Sequence, residues 1–418
     1  MKRKFSLIFA VIICFSMILS GCDSGEIIEI NYLETTAYID YSQYKDTELK
    51  VYNWGSYISD GSEGTIDVNA EFEKLTGIKV IYDNFDSNES LYAKLSSGGA
   101  DYDVIIPSDY MIGRLIKEGY IAELNFDNIP NYQYVSERYQ NTEYDPENKY
   151  TVPYSVGMVG IVYNTSVIEE EPTSWSLMWD AKYSGKILNF NNPRDAFAIA
   201  QFYGGLDINS EDKTTWDKAY NMLVEQKSKL QGYVMDEVFN KMESGEAAVA
   251  PYYAGDFFTM YGNNEDLAFY YPEEGTNIFI DAACVLKTSK NKGAAELYIN
   301  FLMDPEIARA NAEYTYYASP NTAVMENEDY IEYLSELHPD AYEILYKSSE
   351  LVPTDSFVNI SDETKSYMTQ KWTELRATNT ENNGDTIVYI ICGVLLATII
   401  AGFGYNAFIK KQRAKNYE

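Results

Sequence analysis

The sequence predicts an α/β protein of two lobes followed by one membrane-crossing helix, and three observations carry that prediction. Short apolar runs alternate with stretches of helical spacing from Glu48 onward, the pattern of parallel strands joined by right-handed crossovers. A length of 418 residues exceeds one ordinary domain and suits two lobes, each with its own core. The run Ile387 to Ile409 carries no charge and is long enough to cross a bilayer core of about 30 Å.

Taken in order, Met1 to Ser20 reads as a signal sequence, a basic start (Lys2, Arg3, Lys4) before the apolar run Phe5 to Leu19. Asp23 to Thr47 is a polar, Tyr-rich spacer. Lys50 to Asn53 is a strand that breaks at Gly55 into a loop offering Trp54, Ser56 and Tyr57. Ile66 to Leu75 is a helix stopped by Gly77. Ile78 to Tyr82 is a second strand, and Ser87 to Ser90 caps a helix running through Leu95. Tyr102 to Ile106 is a third strand closed by Pro107, and Met111 to Lys117 a third helix. Beyond Tyr150, strands are expected at Gly157 to Tyr163, Lys186 to Asn189, Ala247 to Ala250 and Asn277 to Leu286. Helices are expected from Trp175, over Ala196 to Tyr203, Ala294 to Met303, Glu306 to Tyr314, Tyr330 to Tyr346 and Glu363 to Arg376. There is no internal repeat.

Composition excludes several functions. A net charge of −32 repels nucleic acid, which needs a basic stripe, and concentrates cations. Of four cysteines, Cys14 lies in the leader, Cys22 at its end, Cys284 in an apolar strand and Cys392 in the terminal apolar run. No pair remains for a disulfide or a cysteine metal site. The single histidine, His338, precedes Pro339 and reads as a solvated helix end; it rules out a multi-histidine metal centre. No Gly-x-Ser-x-Gly motif is present, and nothing calls for a cofactor.

Both ends are expected to touch the membrane. Leu19-Ser20-Gly21-Cys22 resembles the lipobox of bacterial lipoproteins, which makes Cys22 the expected acylation site. After Ile409, the segment Lys410-Lys411-Gln412-Arg413-Ala414-Lys415 places a short tail in the cytoplasm and the acidic bulk outside. The expected localisation is therefore the extracytoplasmic face of the cell membrane, lipid-anchored at one end and spanning the bilayer once at the other.

Polar and aromatic residues collect where strands run into loops: Trp54, Ser56, Tyr57, Ser108, Tyr110, Asn192, Asp195, Tyr253, Asp256, Phe279, Asp281 and Tyr317. Several local motifs occur in a fixed order. They are Tyr52-Asn-Trp54 with Tyr57, Thr76-Gly-Ile-Lys-Val80, Asp86-Ser-Asn-Glu89 before Tyr92-Ala-Lys-Leu95, Tyr102-Asp-Val-Ile-Ile-Pro-Ser108, Asn300-Phe-Leu302 and Ser319-Pro-Asn321. In these the chain resembles the spermidine/putrescine-binding proteins of bacterial ABC importers, from about Leu49 to Arg376.

That resemblance implies a periplasmic-binding-protein-like fold of type II, with two lobes joined by hinge strands that cross near Tyr154–Gly157 and near Asp281. Lobe 1 would take 48–156 and 282–325, and lobe 2 would take 157–281 and 326–376. A linker at 377–386, the helix at 387–409 and a tail at 410–418 would complete the chain after a leader at 1–21 and a spacer at 22–47. The implied ligand is a polyamine, putrescine or spermidine, in an interlobe cleft, and the implied partners are permease subunits in the bilayer. Carried over residue by residue, the aromatic box would be Trp54, Tyr57, Tyr110, Tyr253, Phe279 and Tyr317. The carboxylates would be Asp195, Asp256 and Asp281, and Ser56 and Ser108 further polar contacts. Asn192 stands where spermidine-preferring members carry an acid, and Tyr253 and Phe279 where they carry tryptophan, which leans the expectation toward putrescine.

The chemistry of the residues agrees with that implication. Rings bury methylenes and attract ammonium groups, and carboxylates accept charge-assisted hydrogen bonds from them. Three alternatives stand beside it. Tyr252-Tyr253, Tyr270-Tyr271 and Tyr316-Tyr317 are adjacent tyrosines of the kind a ferric-ion binder of this architecture uses. A sensor ectodomain could bind the same ligand, with a separate partner to signal. A carboxylate pair such as Asp256 and Asp281 could in principle serve a glycosidase.

Overall fold

A computed structural model describes residues 41–378. Its strands are β1 (Glu48–Trp54), β2 (Lys79–Phe85), β3 (Val104–Ile105), β4 (Thr151–Asn164), β5 (Ile187–Phe190), β6 (Leu230–Val234), β7 (Val249–Tyr253), β8 (Leu267–Tyr270), β9 (Thr276–Val285) and β10 (Thr354–Asp355). The described residues divide into two compact units, 41–158, 253–259 and 277–359 in unit 1, and 159–252, 260–276 and 360–378 in unit 2. Residues 326–359 belong by contact to unit 1.

In unit 1, β2, β1 and β3 run parallel in that order, and β9 and then β4 extend the ladder antiparallel. Side chains alternate across this sheet with a period of two. Leu49, Val51, Val104, Ala283 and Val285 enter one core with Phe72, Tyr298 and Phe301. Tyr52, Ile105, Ala282 and Cys284 enter the other with Leu91, Leu95, Met111 and Ile112. Burial on both faces explains why β3 and the Ala282–Val285 half of β9 are apolar runs and not alternating ones. Cys284 is a packing residue of that second core, and burial holds its thiol well above the usual range, so it stays unreactive.

Buried polar groups of unit 1 are tied to the backbone, as burial requires. The Asp145 carboxylate accepts from the amides of Lys149, Tyr150 and Thr151 at 2.8–3.0 Å and from the Thr151 hydroxyl. Asn131 and Asn300 bond each other through side chain and backbone at 2.8 and 3.0 Å.

In unit 2, β6 and β7 both pair with β5 in parallel, and the C-terminal part of β4 pairs antiparallel with β8. The helices Pro193–Tyr203, Lys213–Lys227 and Asp362–Ala377 belong to this unit. Lys227 closes the last of them, donating from Nζ to the carbonyls of Leu375, Arg376 and Thr378 at 2.5, 3.0 and 2.7 Å. A cation on the last carbonyls of a helix satisfies groups that otherwise lack partners.

Three expectations change. Trp175–Trp179 is a 3₁₀ turn in which four of five residues, Trp175, Leu177, Met178 and Trp179, are buried, and it ends at Asp180, which is extended. Tyr330 to Tyr346 is not one helix. Glu328–Leu337 ends at His338, which is extended at φ −160° and ψ 137° because a proline follows it, and a π-helical turn resumes at Glu343–Lys347.

The third change concerns the membrane. Among the described residues no helix is long and apolar enough to cross a bilayer. The longest, Asp362–Ala377, has 16 residues and carries Asp362, Glu363, Lys365 and Lys371. At about 1.5 Å per residue it rises only some 24 Å, short of a hydrocarbon core. The structure supports the α/β fold and gives no support to the terminal spanning helix, nor to a localisation that spans the membrane with a cytoplasmic tail. Residues 387–409, the leader and Cys22 lie outside the described residues.

Candidate functional site

In unit 1 the chain brings two carboxylates and a train of rings together. Asp281 sits on β9 opposite Ser155 of β4 and is only 4% exposed. The Tyr57 hydroxyl donates to its Oδ2 at 2.9 Å, while its Oδ1 is buried without a hydrogen-bond partner. Among the described residues no lysine or arginine pairs with it. Burial raises its pKa to about 6, with the hydroxyls of Ser108 and Tyr57 opposing the shift. The Asp281 carboxylate is thus buried with the Tyr57 and Ser108 hydroxyls facing it and, among the described residues, no lysine or arginine paired to it.

Tyr57 reaches this place because β1 ends at Trp54 and the chain turns through Ser56 at a positive φ of 52°. The Tyr154 hydroxyl then pins the turn by donating to the Tyr57 carbonyl at 2.6 Å. The Tyr57 ring meets the Tyr154 ring at 5.7 Å and the Tyr317 ring edge-on at 5.7 Å. Tyr317 donates to Asp256 Oδ2 at 3.0 Å. Phe279 lies 6.1 Å from the Tyr317 ring, and Tyr253 is edge-on to Phe279 at 5.6 Å. The resulting path runs from Asp281 through Tyr57 and Tyr317 to Asp256, with Phe279 and Tyr253 along its flank. Tyr253, Asp256, Phe279 and Tyr317 are half-buried.

The other expected residues of unit 1 sit at strand ends. Trp54 ends β1, packs against Phe85 with centroids 4.5 Å apart, and has a buried indole N–H without a partner. Ser56 is exposed in the turn. Ser108 precedes the helix Asp109–Lys117, and Tyr110, in its first turn, donates to Glu89 at 3.0 Å. In unit 2, Asn192 caps the helix Pro193–Tyr203 by accepting from the Arg194 amide at 2.9 Å, and Asp195 is buried in that first turn.

Residues 101–338 match the family of bacterial extracellular solute-binding proteins. A spermidine/putrescine-binding periplasmic protein of Escherichia coli is 31% identical over 278 residues, 66% of this chain and 78% of that protein. The chain belongs to this family. Among solved structures, a putative spermidine/putrescine ABC transporter protein from Listeria monocytogenes is 31% identical. It matches with a TM-score of 0.70 over 79% of this chain and 99% of that one. A spermidine/putrescine ABC transporter substrate-binding protein from Streptococcus pneumoniae is 28% identical. Its TM-score is 0.68 over 79% of this chain and 98% of its own.

Each tyrosine pair of the iron alternative is engaged in other contacts. Burial and then the nearby Asp256 push the Tyr317 phenol well above its ordinary value. Tyr270 is also raised, by burial and then Glu274, and donates to the Ser174 carbonyl at 2.8 Å. Tyr252 is buried and stacked on Phe190 at 5.5 Å. His338 terminates its helix as expected, but half-buried against Phe257 and Phe258 and with Nδ1 accepting from the Asp340 amide.

Sequence reasoning missed Tyr154, Ser155, Gly157 and Gly255. Ser155 and Tyr154 lie on the strand facing Asp281, a pairing that only the fold creates. The glycines carry no side chain to attract notice, yet Gly157 faces Phe279 across the ladder and Gly255 lies under Tyr317.

Proposed function

We propose that this protein binds a polyamine, putrescine or spermidine, as the extracytoplasmic substrate-binding component of an ABC importer, and hands it to a permease. It is a binding protein and not an enzyme, as its relatives are solute-binding proteins. One observation carries the choice of ligand: Asp281, buried and without a cation, framed by the Tyr57 and Tyr317 rings.

The chemistry follows from the ligand's form, a methylene chain ending in ammonium groups. An ammonium at Asp281 supplies the missing charge partner and donates to the orphaned Oδ1 through a charge-assisted hydrogen bond. Rings along the path to Asp256 cover the methylenes and attract the cation at about 0.5–2 kcal/mol per contact. An ammonium desolvated without a carboxylate costs several kcal/mol, so paired acids select the amine spacing that fits. Trp54, Ser56, Ser108, Tyr110, Asn192 and Asp195 are proposed as further ligand contacts. A neutral Asn192 favours the diamine over the triamine. Cys22 is the proposed lipid attachment.

Competition calorimetry with putrescine, spermidine and Fe(III) tests the reading. Saturable heat with an amine is expected. A coloured iron complex with no amine response would overturn it.

A further inference from the structure

Two of the box rings lie where a side chain would otherwise stand. A Cβ on Gly157 would come within 2.2 Å of Phe279 Cζ, and one on Gly255 within 2.7 Å of Tyr317 Cδ2. Such approaches are not met between real atoms, so a methyl at either place moves the ring. Neither glycine is there for its backbone: Gly61 and Gly77 have positive φ, whereas Gly157 and Gly255 do not. Any residue could adopt their conformation, so what glycine supplies at both is room.

We infer that Gly157 and Gly255 are positioning residues of the binding site, seating Phe279 and Tyr317 so that the box keeps its shape. Gly157 stands directly across the ladder from Phe279, two residues along β9 from Asp281. Gly255 lies in the first turn of the helix Ala254–Asn263, beside Asp256, the acceptor of the Tyr317 hydroxyl. Gly157 thus seats the ring that stands two residues from Asp281 against the neighbouring strand β4, and Gly255 seats Tyr317 against the helix that carries Asp256. A displaced Phe279 ring leaves its contacts with both Tyr253 and Tyr317, and a displaced Tyr317 leaves Asp256. The inference rests on the polyamine reading.

The test is a double-mutant cycle read by calorimetry with putrescine. Gly157→Ala is expected to weaken binding at least tenfold. Because the glycine acts through the ring, Phe279→Ala and Gly157→Ala/Phe279→Ala are expected to agree within twofold. Gly160→Ala, whose Cβ would meet the Phe269 ring at 2.2 Å and the Tyr270 carbonyl oxygen at 2.7 Å, is at least as disruptive to packing, serves as a control for general damage and is expected to keep wild-type affinity. Gly255→Ala with and without Tyr317→Ala forms a second cycle, decisive where Gly157→Ala alone does not fold. Unchanged affinity in a folded glycine variant, or an alanine effect that persists undiminished after the ring is removed, overturns the inference while leaving the polyamine reading intact. Wild-type protein that binds neither amine overturns both.

Discussion

Replacing Asp281 with asparagine separates what this carboxylate does for the ligand from what it does to the fold. Asparagine keeps an oxygen for the Tyr57 hydroxyl, now 2.9 Å from Oδ2, but removes the charge. In the free protein that charge is a burden: burial lifts the pKa from 3.8 to about 6, so the native state holds its proton more tightly than the unfolded chain. Stability is therefore greatest below the unfolded value, falls as pH rises toward 6, and is flat above it. Roughly two pKa units correspond to about 3 kcal/mol lost by pH 8, of which about 2 kcal/mol is lost between pH 4.5 and 8. Asp281→Asn lacks this slope, although its unpartnered amide forfeits about 1–3 kcal/mol at every pH. Denaturant unfolding of the free proteins should show the variant gaining about 2 kcal/mol on wild type between pH 4.5 and 8. Binding should move the other way. Losing one side of a desolvated ion pair costs about 2–5 kcal/mol, roughly 30- to 4,000-fold in Kd. Parallel pH curves together with an unchanged Kd for putrescine would refute the reasoning.

Three further outcomes follow from the same structure. An ammonium requires ionised Asp281, so affinity should rise with pH up to about 6 and flatten above it. Calorimetry in buffers of different ionisation enthalpy should register proton release near pH 6, and buffer-independent heats would contradict this. Asn192→Asp keeps the helix cap, since both residues cap well, and restores an acid. It should raise spermidine affinity relative to putrescine about fivefold, near 1 kcal/mol, in a competition assay. Lys227→Ala removes three bonds to the end of the helix Asp362–Ala377 and should cost about 1–2 kcal/mol. It should lower amide-exchange protection in that helix without changing Kd.

Where the sequence is locally consistent, the fold is legible in it. Ile78 to Tyr82, Ala294 to Met303 and Glu363 to Arg376 were each readable from period and caps, and each is an element in the structure to within a few residues. What escaped were elements without a sharp period. Lys213–Lys227 buries only Trp216, Ala219, Leu223 and Gln226 amid polar neighbours, and β8 draws its pairing from distant β4. The helix at Ala254–Asn263 hides behind a run that reads as the end of a strand, because Gly255 weakens the helical signal where it makes room for a ring. At the site, the aromatic and acidic side chains announce themselves by type. Their convergence does not, since Tyr57 and Asp281 stand 224 positions apart in sequence and meet only through the ladder of β9.

A crystal structure of the protein with putrescine puts the central claim to its most direct trial. An ammonium nitrogen is predicted within hydrogen-bond distance of Asp281 Oδ1, with the methylenes against Tyr57, Phe279 and Tyr317. An amine bound elsewhere, with Asp281 Oδ1 still lacking a cation, would contradict the account.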